Sequence, residues 1–206
     1  MPQPKYRTVL MFGPPGVGKG TQGQVLAGLP GFRHVSSGDC FRALDADSLA
    51  GKQSRLHIER GELVPDDLTL RVWKQAMERM IADGQFSPET DVLILDGFPR
   101  SLVQAAELDD YIDPLCLISL VSFDEDAMVD RIKTRALESG RPDDADEAII
   151  RHRFNIYRRD TMPVLKYYPD ELKREVDALQ SPTEVLRAVL DCIIPVQSVR
   201  MSSATN

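Results

Sequence analysis

Nine consecutive residues, Gly13-Pro14-Pro15-Gly16-Val17-Gly18-Lys19-Gly20-Thr21, join closely spaced glycines to one lysine and one hydroxyl. An apolar, β-branched run, Thr8–Phe12, leads into them, and a helical pattern starting at Lys19 follows. Backbone N–H groups in such a turn form an anion nest, reinforced by the positive end of the helix. In this pattern Lys19 reaches the β- and γ-phosphates of a nucleoside triphosphate, and Thr21 or the loop backbone lies near a Mg²⁺ ion. The general form of the motif places Ser or Thr directly after the lysine, whereas here Gly20 intervenes.

A second candidate follows another apolar run, Val92–Leu95: Asp96-Gly97-Phe98-Pro99-Arg100. A carboxylate at Asp96 can hold Mg²⁺ through water, and Arg100 can neutralise a phosphoryl group in transfer. Arg131 and Arg135 are four residues apart and share a helical face. The chain as a whole is acidic, with 25 Lys+Arg against 32 Asp+Glu and a net charge of −7. That balance argues against nucleic acid as a partner, which calls for a basic face. Phosphate must be bound by a local concentration of cations.

The elements that position these groups follow from hydrophobic patterning. Thr8–Phe12, Val92–Leu95 and Leu115–Val121 read as buried parallel strands, with shorter ones at His34–Val35 and around Val176. Helical patterns cover Lys19–Leu29, Asp67–Asp83, Leu102–Tyr111, Glu125–Glu138, Asp146–Tyr168 and Thr183–Ile194. The last has a start signal in Ser181-Pro182-Thr183-Glu184. Alternating strands and helices predict an α/β fold, a parallel sheet flanked by helices, with ligands at the carboxyl ends of the strands. The polar tail from Pro195 to Asn206 is expected to be disordered. Cys40, Cys116 and Cys192 fit neither a disulfide framework nor a zinc spacing, so reduced thiols and a cytoplasmic location are expected. No apolar run approaches the ~20 residues of a membrane span, and no membrane partner is expected.

The loop form G-x-P-G-x-G-K-G-T resembles that of the adenylate kinases and their nucleoside-monophosphate kinase relatives, and the likeness extends over about residues 5–194. It implies a P-loop NTPase-type domain over 1–194, with a helical monophosphate-binding insert at about 36–65 and a short lid at about 131–146. It implies ATP contacts from Gly16, Val17, Gly18, Lys19, Gly20, Thr21, Arg131 (stacked on the adenine), Arg135 and, through its backbone, Gln180. AMP would be held by Ser37, Arg42, Glu62, Leu63, Val64, Gly97, Phe98, Pro99 and Arg100, with Gln104 reading the adenine edge through its amide. Arg141 and Arg153 would hold AMP as well and join Lys19, Arg100 and Arg135 as the catalytic cations. The spacing after Asp144 is one residue longer than is usual in the family, which leaves Arg151 as an alternative to Arg153. The lid has no room for a cysteine-bearing hairpin, so no structural zinc is expected.

What the resemblance implies is transfer of the γ-phosphoryl group of ATP to AMP, giving two ADP, with Mg²⁺ as cofactor, by a monomer. A UMP/CMP kinase of the same superfamily is the alternative; Gln104 and the hydroxyl of Ser37 favour AMP. A GTPase would carry an N-K-x-D guanine-reading motif, which this sequence lacks.

Overall fold

β1 (Tyr6–Phe12), β2 (Phe32–Ser36), β3 (Val92–Asp96), β4 (Ile112–Val121) and β5 (Lys173–Asp177) form one parallel sheet in the order β2-β3-β1-β4-β5. They are seen in a computed structural model that describes residues 5–139 and 144–203. Every strand expected from the sequence is present, most of them longer than the apolar run alone suggested. In the β1–β4 pairing the register shifts between Thr8 and Val9, opposite Pro114, which has no N–H to give to the ladder.

The central strands are apolar on both faces because both faces are covered. Val9 and Met11 of β1, with Val92 and Ile94 of β3, enter a core shared with Leu26, Ile132, Ile150 and Val189. Leu10 and Phe12, with Leu93 and Leu95, enter the opposite core, around Trp73, Met77, Phe98 and Leu108. The covering helices are α1 (Lys19–Ala27), α4 (Asp66–Ala82), α5 (Leu102–Leu108), α6 (Glu125–Ser139), α7 (Glu147–Ile156) and α8 (Pro182–Ser203). Two more, α2 (Ser37–Arg42) and α3 (Leu49–Glu59), follow β2. They have a small core of their own, where Cys40, Phe41, Leu44, Ala50 and Ile58 pack on Val64, Leu68 and Val72.

Two stretches differ from expectation. The helix expected over Asp146–Tyr168 is α-helical only to Ile156, continues as a π-helix over Tyr157–Thr161 and ends as a 3₁₀-helix over Met162–Lys166. Pro163 lacks the N–H for an α-helical bond and crowds the carbonyl one turn back, so the backbone changes its winding before it. The chain from Pro195 to Ser203, expected to be disordered, instead continues α8. Val196, only 7% exposed, is buried in the core and carries the helix past Pro195. The start of α8 matches its sequence signal: the Ser181 hydroxyl accepts from the Glu184 N–H, and the Glu184 carboxylate accepts from the Ser181 N–H.

Candidate active site

β1 ends at Phe12, β2 at Ser36 and β3 at Asp96, side by side, and the loops beyond them open into one cleft of about 810 Å³. That volume suits small-molecule ligands with several polar groups. The glycine loop forms one wall. Gly16 has φ +77°, and a Cβ there would fall 2.7 Å from the Met128 carbonyl, so α6 can pack against the loop only because a side chain is missing. Lys19 Nζ donates to the Gly13 and Pro14 carbonyls at 2.7 and 3.0 Å, drawing the loop around its own ammonium.

The cleft is lined by Gly16, Val17, Gly18, Lys19, Gly20, Thr21, Asp96, Gly97, Pro99, Arg100, Arg131, Arg135, Arg153 and Gln180. Ser37, Arg42, Glu62, Leu63, Val64 and Gln104 line it as well. Phe98 is the exception among the expected site residues that the structure describes: it is 2% exposed and packs on Trp73, with ring centroids 5.7 Å apart, so its side chain serves the core beneath the cleft. Arg141 lies outside the described residues.

The cations come from separate elements and repel one another. Burial pushes the Lys19 ammonium down to about 8; Asp96 opposes this shift, while Arg100, Arg153 and Arg135 add to it. Burial, then the Arg153 charge, pushes Arg100 down to about 10, with Asp96 offsetting part and Arg42 adding to the fall. Burial alone would raise the Asp96 carboxyl, but His34, Lys19 and Arg100 together hold it below its ordinary value. His34 Nε2 stands 3.4 Å from Asp96 Oδ2. A site whose fixed cations outnumber its anions is arranged to receive polyanions.

Arg100 Nε donates to the Gly97 carbonyl at 2.7 Å, and Ser37 Oγ donates to the same oxygen at 2.7 Å. Thr161, in the π-helical turn, donates to the Arg100 carbonyl at 3.2 Å. Arg42 pairs with Asp39 one turn back on α2. Arg131 donates to the Ala178 carbonyl at 3.2 Å, tying α6 to the loop that carries Gln180.

Asp144, fully buried, accepts two hydrogen bonds from Arg135 at 2.8 and 2.9 Å and one from Arg153 at 2.7 Å. Arg151 does not reach the cleft. It pairs with Glu147, Asp126 and Glu125 on the outer side of α7. Between the two candidates left open by the sequence spacing, Arg153 is the one that the fold brings to the site.

Sequence reasoning did not single out Asp66, Ser101 or His34. Asp66 and Ser101 bind the Gln104 side chain and backbone, and His34 faces Asp96. Their signal was weak because these contacts join residues remote in sequence or are made by residue types common at helix starts.

The donor set fits Mg²⁺. Asp96 is a single buried carboxylate at the strand end, 3.7 Å from where a Cβ on Gly20 would stand, and the exposed Thr21 hydroxyl follows one residue later. These are hard oxygens, and one carboxylate leaves the remaining positions to water and nucleotide oxygens, as Mg²⁺ prefers. Among the described residues no group of three or more His, Cys, Asp or Glu side chains could hold a metal ion.

Comparison with known proteins points to one family. The family model described as adenylate kinase matches residues 11–173. The chain is 39% identical over 194 residues to an adenylate kinase of Thermus thermophilus, covering 89% of this chain and 97% of that one. It is 37% identical over 191 residues to an adenylate kinase of a Synechococcus species, covering 88% and 97%. A third, from Thermobifida fusca, is 35% identical over 192 residues, covering 90% and 97%. With a glycine loop, a carboxylate at the neighbouring strand end and converging arginines in one cleft, the chain belongs to the adenylate kinase family.

Proposed function

We propose that this protein moves the γ-phosphoryl group of ATP to AMP, reversibly, giving two ADP, and so serves purine nucleotide interconversion and energy homeostasis. The observation that carries this reading is the convergence of Lys19, Arg100, Arg135 and Arg153 on one cleft with the glycine loop at one side and Ser37 and Arg42 at the other. ATP is placed on Gly16, Val17, Gly18, Lys19, Gly20 and Thr21, with its adenine near Arg131 and the backbone of Gln180. AMP is placed between Ser37, Arg42, the Glu62-Leu63-Val64 loop, Gly97, Pro99, Arg100 and Gln104.

Two facing polyanions repel, and phosphoryl transfer spreads charge over the oxygens of the moving group. Lys19 and the arginines answer both needs, since they are fixed before the substrates arrive. Burial, and after it mutual repulsion, depresses Lys19 and Arg100, and phosphates entering the cleft offset both. An AMP phosphate oxygen is already ionised at neutral pH and attacks directly, so the protein supplies no general base. Mg²⁺, held by Asp96 through water and by the nucleotide, would neutralise charge on the ATP oxygens. The insertions around 44–63 and 137–146 are read as closing segments that exclude water when both nucleotides are bound. No described helix is long and apolar enough to cross a membrane. A monomer in the cytoplasm, without structural zinc, completes the reading.

Turnover with AMP, UMP, CMP and GMP as acceptors tests it. AMP is expected to exceed each pyrimidine acceptor in kcat/KM by at least about a hundredfold, well within the discrimination open to a site built to hydrogen-bond one edge. A pyrimidine monophosphate preferred over AMP would replace it with the UMP/CMP kinase reading.

A pH dependence follows from Lys19. The free enzyme carries its charge below about 8 and loses it above. Because kcat/KM reports the free enzyme, the value for ATP should fall about tenfold per pH unit above that point. kcat should stay level to higher pH, since bound phosphates hold the proton on the ammonium. A kcat/KM profile flat to pH 10 would remove Lys19 from phosphate binding.

A further inference from the structure

The Gln104 side chain is buried, 1% exposed, and both ends of its amide are held. Oε1 accepts the Arg100 backbone N–H at 2.7 Å, and Nε2 donates to Asp66 Oδ1 at 2.7 Å. The same carboxylate oxygen accepts the Ser101 hydroxyl at 3.0 Å, and Ser101 Oγ in turn accepts the Gln104 backbone N–H at 3.1 Å. Asp66 opens α4 and Ser101 caps α5, so the contact also ties these two helices together where they meet the cleft.

The chemistry of the two holders decides which way the amide faces. A peptide N–H can only donate, and a carboxylate can only accept. Turning the amide over would set N–H against N–H and oxygen against carboxylate oxygen. One N–H on Nε2 and one lone pair on Oε1 are left over on a residue that lines the cleft. A 6-aminopurine presents an amino donor beside a ring-nitrogen acceptor and matches that pair. A 6-oxopurine presents an oxygen acceptor beside a ring N–H and would need the amide reversed.

We propose that Asp66 is a positioning residue that sets base specificity: by locking the Gln104 amide in one orientation it admits AMP and rejects 6-oxopurine monophosphates. This rests on the reading that places the acceptor's adenine at Gln104. Asp66 touches neither nucleotide and acts through Gln104 alone.

Three variants test it, each assayed for kcat/KM with AMP and with IMP, ATP being the donor. Asp66→Asn is isosteric, but its own amide can turn with that of Gln104, so the AMP-to-IMP ratio should fall about tenfold, the scale of one charge-assisted hydrogen bond. Asp66→Ala should lower the ratio similarly and also raise KM for AMP about tenfold, with KM for ATP held within about twofold. Asp66→Asn should recover most of that AMP affinity. Gln104→Ala should raise KM for AMP on its own. If Gln104→Ala weakens AMP while both Asp66 variants keep the wild-type ratio, Asp66 has no part in specificity. A loss of melting temperature and of turnover on both acceptors, with the ratio unmoved, would mean that Asp66 only braces the helices and would overturn the proposal as well. If Gln104→Ala leaves KM for AMP unchanged, the adenine does not lie there, and the placement and the proposal fail together.

Discussion

Replacing Lys19 by methionine should lower kcat about a thousandfold while leaving the fold intact. Methionine keeps most of the methylene stem and removes the charge. The loss in rate follows from position: the ammonium sits inside the glycine turn, 2.7 Å from the Gly13 carbonyl, where the proposed function puts the transferring phosphates. A fixed cation there counts most when charge is spread over the moving group, which places its effect in kcat as well as in binding. Stability should move the other way. The folded protein holds the Lys19 ammonium down to about 8, below its unfolded value, so the fold favours the uncharged form. The stability tied to this group is present above the unfolded value and is lost as pH falls through about 8. At neutral pH the native ammonium is therefore a cost, and Lys19→Met should melt no lower than the wild type. Steady-state ADP formation and a thermal melt on the same preparation check both parts. A fully active variant would take Lys19 out of the reaction, and a strongly destabilised one would mean that the bonds to Gly13 and Pro14 outweigh the repulsion from the arginines.

How much of this site could be read from the sequence depends on how local each feature is. The glycine turn is legible because strand, loop and helix start are consecutive, and the structure keeps them so, with β1 ending at Phe12 and α1 starting at Lys19. Asp96 was legible for the same reason, at the end of an apolar run that becomes β3. Phe98 shows the limit. It belongs to the same short motif, yet Asp96, Gly97, Pro99 and Arg100 line the cleft while Phe98 turns into the core, and only the packing on Trp73 decides which way it faces. The Gln104 amide is more remote still: its partner Asp66 is 38 residues away, and the contact exists only because α4 and α5 start beside one another. The end of the chain misled for a different reason. Pro195 and the polar residues after it read as a stop, but burial of Val196 outweighs one missing hydrogen bond.

Arg153 and Arg151 present the sharpest contrast that a pair of single substitutions can test. Two residues along an α-helix are about 200° apart, so side chains at these positions point to opposite sides of α7. Arg153 lines the cleft, and its side chain is 23% exposed against 43% for Arg151. Its guanidinium reaches Asp144 at 2.7 Å and is close enough to Arg100 and Lys19 to depress both. Arg151 meets Glu147, Asp126 and Glu125 on the exposed side, pairs that solvent and salt screen. Arg153→Ala should therefore lower kcat about a thousandfold, in the range found for arginines that stabilise a phosphoryl-transfer transition state, while Arg151→Ala should stay within about twofold. Removing Arg153 also takes one of two cations from the buried Asp144, but Arg135 still grips that carboxylate with two bonds, so the protein should remain folded below its melting point. Arg153→Lys separates charge from geometry: it keeps the cation but not the planar fork, and should recover only part of the rate. If Arg151→Ala proved the more damaging change, the register of α7 against the cleft would be wrong, and the ring of cations would have to be drawn through the other side of the helix.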